Sequence, residues 1–205
     1  MSPAEPLDGD ALRTALGDQL IGRQIVVLQE TTSTNDVVSQ MAPQCEEGLV
    51  VFAERQSAGR GQHGKRWESS AQRGLWFSIL LRPQIAARDS GRITTWAAQT
   101  IADTLRSEFG LPATVKPPND VYCEGRKLAG VLLEMRAIPD THHIGILGIG
   151  LNVNQRLEDF PEELRERASS LALLLDLELD RHQVAVAILR ALDRTYPAAI
   201  RAGAS

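Results

Sequence analysis

Three glycines set among cations, Gly59-Arg60-Gly61-Gln62-His63-Gly64-Lys65-Arg66-Trp67, make the stretch of this sequence best suited to hold an anion. Glycine admits φ > 0 and lets backbone N–H groups approach a ligand closely. Successive N–H groups in such a turn form an anion-binding nest. Arg60 adds a two-pronged fork for carboxylate or phosphate, and Lys65 adds a point charge. The spacing satisfies G-x-G-x-x-G, but Lys65 to Gly74 is polar and lacks the 3.6-residue apolar period of the helix that a dinucleotide fingerprint opens. It also satisfies G-x-x-x-x-G-K, yet Arg66 follows where a P-loop needs Ser or Thr for Mg2+. Two readings remain from these residues: a phosphate site of a third architecture, or a solvated basic loop.

Other residues of chemical interest are scattered. In Thr31-Thr32-Ser33-Thr34-Asn35-Asp36 the hydroxyls either cap the helix that starts at Val37 or, with the Asn35 amide, face a neutral polar ligand. Pro117-Pro118 forbids both helix and ladder, so this rigid turn fixes where Asn119 and Asp120 point; a plain Asx turn is the competing reading. Lys127 opens an apolar strand, as a snorkelling edge residue or as a cation for chemistry. Gly130 inside that strand signals a close approach to its backbone. Asn152 and Asn154 share a face by period two. His142 and His143 read as turn residues, and neither they nor Cys45 and Cys123 have metal-ligand spacing.

The elements that must position these residues follow from periodicity. Met1 to Asp10 is expected to be a loose tail. Helices are expected over Ala11 to Leu20, from the hydroxyl cluster to just before Pro43, over Asp89 to Phe109 with Gly110 as its stop, after Ser169-Ser170-Leu171, and over His182 to Ile200. Strands are expected at Ile25 to Leu28 (buried), Leu49 to Ala53, Gly74 to Leu81, Ala113 to Lys116, the hairpin Val121 to Met135, and His143 to Asn154.

Composition narrows the class. A chain of 205 residues can bury one sizeable core, and 43% hydrophobic with 23% charged content is that of an ordinary globular domain. The net charge of −4 makes the cations near Gly59 a local feature, suited to a small phosphorylated ligand better than to a nucleic-acid track. Two distant cysteines and no leader pattern or membrane-length apolar run point to the cytoplasm.

Taken in order, Ser33-Thr34-Asn35, Gln56 with the glycine loop, Pro118-Asn119-Asp120, Gly125-Arg126-Lys127-Leu128-Ala129-Gly130 and Gly148-Ile149-Gly150-Leu151-Asn152-Val153-Asn154 resemble the biotin protein ligases, over roughly residues 22 to 200. The resemblance implies an α+β fold, a mixed and largely antiparallel sheet flanked by helices, related to class II aminoacyl-tRNA synthetases. It implies a two-step activity: biotin and ATP give biotinyl-5′-AMP, and biotin then passes to a lysine of a carboxylase biotin carrier domain. ATP, Mg2+ and biotin would be the small molecules involved. Lys127 and Arg60 would be catalytic. Ser33, Thr34, Asn35, Gln56, Gly59, Arg60, Gly61, Gln62, Lys127 and Gly130 would bind biotin. Lys65, Trp67, Asn119, Asp120 and Asn152 would meet the nucleotide, with Asp120 a candidate for Mg2+.

The sequence departs from the family pattern in three ways. The segment before Ile25 is too short for the winged helix some members carry, so DNA binding is not expected. The chain stops at Ser205 without the small SH3-like lobe, which leaves a catalytic domain at 11–205. Gln62 stands where many members have Arg, and Pro117 where they often have Trp. A non-catalytic binder of biotin or its adenylate, and a ligase for a related acid such as lipoate, are the competing functions. No membrane partner is expected, and the chain is read as a monomer or homodimer.

Overall fold

The computed structural model describes residues 5–64, 66–69, 71–85, 87–136 and 143–201. Among the described residues, seven strands form one sheet: β1 Gln24–Thr31, β2 Leu49–Gln56, β3 Gly74–Leu81, β4 Thr114–Lys116, β5 Asp120–Cys123, β6 Arg126–Arg136 and β7 Ile144–Asn152. Their order is β1-β2-β3-β7-β6-β5-β4. Only the β1–β2 pair is parallel, so the sheet is mixed and largely antiparallel, as expected. The helices are α1 Gly9–Leu16, α2 Thr34–Met41, α3 Gly91–Phe109, α4 Leu171–Leu175 and α5 Arg181–Arg201. None of them is long and apolar enough to cross a membrane, among the described residues.

The central strands read as continuous apolar runs because both of their faces are covered. On β2, Val50 and Phe52 enter the large core under α1, α3 and α5, while Leu49 and Val51 pack with Val38 and Ala42 at α2 on the opposite face. The α5 stripe Val184, Ile188, Leu192 and Tyr196 is buried as its period requires. Gly110, at φ 67°, ends α3. The β5–β6 loop is the two residues Glu124 and Gly125, both at positive φ, which suits the twist of a tight hairpin.

Several expectations are corrected. Strand β1 is longer than Ile25 to Leu28 and is a half-exposed edge strand rather than a buried one, because no described strand pairs on its outer side. Helix α1 begins two residues earlier than Ala11, capped by the Asp8 carboxylate, which accepts from the N–H groups of Asp10 and Ala11, and it stops before Leu20. The N-terminal segment is held from Glu5 onward: Leu7 is buried, and its N–H donates to Glu54. The charged stretch after Phe160 forms a short 3-10 turn at Glu162–Leu164. Helix α4 follows the expected Ser170 cap, whose hydroxyl accepts from Leu173 N–H.

Candidate active site

The face of the sheet that carries α2 has a gap where glycines replace side chains. Gly130 of β6 lies opposite Gly150 of β7, which lies opposite Trp76 of β3; one rung further, Leu132, Gly148 and Ser78 align. A Cβ at Gly150 would overlap the Trp67 indole, one at Gly130 would come within 2.8 Å of it, and one at Gly148 would overlap the Asn35 amide. The close approach expected at Gly130 is therefore made, in this ligand-free arrangement, by Trp67. Its ring meets Trp76 edge-on at 6.0 Å, and its Nε1 is buried with no hydrogen-bond partner among the described residues.

Around this floor a cleft is lined by Ser33, Thr34, Asn35, Gln56, Arg60 and Gly61, by Gln62, Trp67, Asn119, Lys127 and Gly130, and by the apolar Phe77, Val131, Leu132 and Ile149. Most of the residues proposed for one site thus converge from separate segments. Gly59 sits just behind, where a Cβ would come within 2.7 Å of the Trp67 carbonyl. The loop is neither of the two glycine motifs considered but a small hairpin. Gly59 O accepts from Trp67 N–H, Arg60 bridges Arg66, and Gln62–Gly64 is a 3-10 turn at the tip. Lys65 lies outside the described residues.

The hydroxyl cluster does not cap α2. Ser33 is the N-cap residue, yet its side chain makes no capping hydrogen bond. Gln56 Oε1 instead accepts from Thr34 N–H at 2.8 Å, Thr34 Oγ1 and Ser78 Oγ lie 2.7 Å apart, and Ser78 Oγ donates to Asn35 Oδ1 at 2.5 Å. Ser33, Thr34 and Asn35 are all buried, so these polar groups are held for something inside the molecule.

A β-bulge decides where Lys127 points. Period two would put it on the face of Ala129 and Val131, inside the helical core. The register slips between Val121 and Tyr122, so that Tyr122 faces Lys127 while Val121 faces Ala129; Leu128 fills the core and Lys127 turns over Gly130. Bulges re-aim side chains in this way. Its backbone is fixed on both sides, N–H to Arg167 O and carbonyl to Ser169 N–H. The ammonium is 2.6 Å from Asp120 Oδ1 and 5.2 Å from the Trp67 ring centre. Lys127 is thus not a snorkelling edge residue.

Neither cation of the cleft stands alone. Arg60 donates twice to Asp36, at 2.8 Å each, and to Glu134 at 3.2 Å. Sequence reasoning missed Glu134 and Ser78; the signal was a lone carboxylate in an apolar strand and a lone hydroxyl in another. Hydrogen bonds from Arg60 hold the Asp36 carboxyl below its ordinary 3.8, and Asp36 in turn raises the Arg60 guanidinium. With the folded value below the unfolded one, this contribution is complete above about pH 3.8 and is lost as pH falls through the folded value. Both side chains are about a third exposed, which limits it to no more than about 1 kcal/mol. Asp36→Asn will therefore lie below the unmodified protein in urea stability by a constant margin at neutral pH, and the margin will shrink below about pH 3.8. A margin unchanged down to about pH 2.5 would refute the linkage.

Three expected contacts fall elsewhere or are already engaged. Asn152 does not line the cleft: its amide donates to Ser169 O and accepts from Gln155. Asn154, beyond the end of β7, clamps Leu179 from both sides. Asn119 lines the cleft and donates to Val131 O at 2.8 Å. Asp120 is a single carboxylate already bound to an ammonium, and no group of three His, Cys, Asp or Glu that could hold a metal occurs among the described residues. Among the described residues, Asp120 thus has no cluster of further ligands beside it. Both cysteines are free, and burial pushes the Cys123 thiol up.

Comparison with known proteins identifies the family of the chain. The profile of the biotin/lipoate A/B protein ligase family matches residues 27–152. The chain is 33% identical over 191 residues to the bifunctional ligase/repressor BirA of Bacillus spizizenii, covering 93% of itself and 59% of that protein. It is 35% identical over 199 residues to the biotin–[acetyl-CoA-carboxylase] ligase of Mycobacterium tuberculosis, covering 92% of itself and 70% of that protein. Among solved structures, the biotin protein ligase of Aquifex aeolicus in complex with biotin and ATP superposes with a TM-score of 0.75 at 30% identity, over 87% of this chain and 72% of that one. The chain thus spans about three fifths of the BirA protein it matches, with its glycine loop, Lys127 strand and Asn35 helix inside the matched region. It belongs to the biotin/lipoate A/B protein ligase family.

Proposed function

We propose that the chain is the catalytic domain of an ATP-dependent biotin protein ligase. The observation that carries this reading is the meeting, in one cleft, of a neutral polar end (Ser33, Thr34, Asn35, Gln56) and a cationic end (Arg60, Lys127). Biotin has the same two ends, a cyclic urea and a carboxylate. Lipoate offers a dithiolane with no donors for the polar end.

In the first step a biotin carboxylate oxygen attacks the α-phosphorus of ATP, the bond to the β-phosphate oxygen breaks, and pyrophosphate leaves. In the second the ε-amine of a carrier lysine attacks the acyl carbon, losing a proton, and AMP leaves. Two unit anions brought to about 4 Å at an effective dielectric near 20 repel by about 4 kcal/mol. Lys127 and Arg60 offset this. The ammonium is ion-paired with Asp120 at 2.6 Å and has three donors, so even with one turned to Asp120 two serve carboxylate and phosphate. Positioning supplies the rest, since phosphoryl transfer leaves the protein little covalent work. Mg2+ enters with ATP, bound chiefly by substrate phosphates. Asn119 and Trp67 are the nucleotide-side contacts in this scheme, and Lys65 adds a further cation from the same loop sequence.

The free volume left in the cleft is about 50 Å³, well under the roughly 300 Å³ of a typical ligand pocket. The hairpin from Gly59 to Trp67 must swing to admit substrate, lifting the indole off Gly130 and Gly150 and onto the bound adenylate. The deciding experiment is biotin-dependent ATP–pyrophosphate exchange, with lipoate in parallel, followed by transfer to a carboxylase carrier domain. Exchange with lipoate and not biotin would overturn the reading; binding of biotin without exchange would make the chain a non-catalytic module.

Gln62 lines the cleft as a neutral amide. Gln62→Arg will slow release of biotinyl-AMP by about tenfold, the worth of one added charge-assisted hydrogen bond of about 1.4 kcal/mol. Stopped-flow displacement measures it, and equal release rates would remove the idea.

A further inference from the structure

We infer that Glu134 is a positioning residue of this site, setting the direction of the hydrogen-bond chain that reads the polar end of the ligand. The inference rests on the functional reading above for the ligand's identity, but not for the geometry. Glu134 stands on β6 two residues beyond Leu132, on the same face as Gly130. Its Oε2 accepts from Asn35 Nδ2 at 2.8 Å and from Arg60 at 3.2 Å.

An ionised carboxylate can only accept. Asn35 must therefore turn its NH2 toward Glu134 and its oxygen toward Ser78. Ser78 spends its single proton on that oxygen. Thr34 Oγ1 faces two acceptors, Ser78 Oγ at 2.7 Å and Gln56 Oε1 at 3.1 Å; the shorter contact has no other proton available, so it takes the Thr34 proton, and Gln56 Oε1 is left with the Thr34 N–H. The chain runs one way, Thr34 to Ser78 to Asn35 to Glu134, and its free end in the cleft is a Thr34 hydroxyl with lone pairs only. Gln56 continues the pattern: its oxygen is held by Thr34 N–H, and its Nε2 keeps one proton beyond that given to Ser69. The cleft thereby offers an acceptor beside a donor, which fits a cis-amide or urea edge that presents N–H next to C=O.

Because one Glu134 oxygen also holds Arg60, the same carboxylate sets the register between the urea end and the anion end. Gly148 completes the device, since a Cβ there would displace the Asn35 amide. Asp36 holds Arg60 independently through two bonds, so losing Glu134 disorders the polar end first.

The test compares Glu134→Ala with Glu134→Gln. Glutamine can place its Oε1 where the carboxylate oxygen was and keep Asn35 in the same sense; alanine cannot. Glu134→Ala is expected to raise KM for biotin at least tenfold with kcat and KM for ATP within about threefold, and Glu134→Gln to stay within about threefold on all three. In the ligand-free protein, the Asn35 side-chain NH2 signals in a 15N-correlated NMR spectrum should remain dispersed in Glu134→Gln and collapse toward free-amide positions in Glu134→Ala. Dispersed Asn35 signals and an unchanged biotin KM in Glu134→Ala would overturn the inference, as would equal impairment of the two variants. If the spectra behave as expected and the unmodified protein does not bind biotin, the positioning role stands and the functional reading falls.

Discussion

Lys127→Ala will lower biotin-dependent ATP–pyrophosphate exchange by about 10²- to 10³-fold, the cost of removing one donor aimed at developing charge, while biotin binding falls less than tenfold. The asymmetry follows from where the side chain is. The backbone of Lys127 is pinned by Arg167 and Ser169, so truncation leaves the strand in place. The ammonium lies over Gly130 at the cationic end, away from the Thr34–Ser78–Asn35 chain that we propose for the other end of the ligand. One side effect has to be separated: truncation leaves Asp120, whose Oδ1 is buried, without its counter-charge. Lys127→Ala combined with Asp120→Asn removes that excess negative charge. If the double variant regains most of the activity, the loss came from the bare carboxylate and Lys127 is not the reacting cation. Exchange within tenfold of the unmodified protein in Lys127→Ala would refute its role outright.

The second large effect is on folding. Arg181→Ala will destabilise the protein by about 3–5 kcal/mol, because it leaves a buried carboxylate uncompensated. Arg181 and Glu54 are 3% and 2% exposed and meet at 2.7 Å and 3.2 Å. The guanidinium also donates to Gly74 O and Glu5 O, and Glu54 accepts from Leu7 N–H. One ion pair therefore ties the start of α5, the start of β3, the N-terminal segment and β2, two residues before Gln56 of the site. For a chain of this length the loss corresponds to roughly 6–20 °C in Tm. Replacing both partners by methionine removes the stranded charge and should recover much of it, since a buried pair is often worth little against apolar residues of similar volume. Denaturant unfolding of the single and double variants checks both statements; a single-variant loss under about 1 kcal/mol would show that water or another donor reaches Glu54.

The sequence by itself determined the local elements and the inventory of the site. Strand β3, helix α3 with its Gly110 stop, the Glu124-Gly125 hairpin and the buried stripe of α5 were legible because each is dictated by residues near one another in the chain. The composition of the site was legible too, since glycines among cations, a hydroxyl–amide run and a lysine on an apolar strand are unusual types in their settings. Only the tertiary structure decided which way they face and what they touch. The bulge that swings Lys127 out of the core depends on pairing with β5. The edge position of β1 depends on sheet order. Whether Ser33 and Thr34 cap a helix or join the cleft depends on Gln56 and Ser78, 22 and 44 residues from Thr34. The partners of Arg60 lie 24 and 74 residues away. Periodicity carries information over one or two turns of a helix or one strand, whereas an ion pair or a hydrogen-bond direction is fixed by groups that meet only after the sheet has formed.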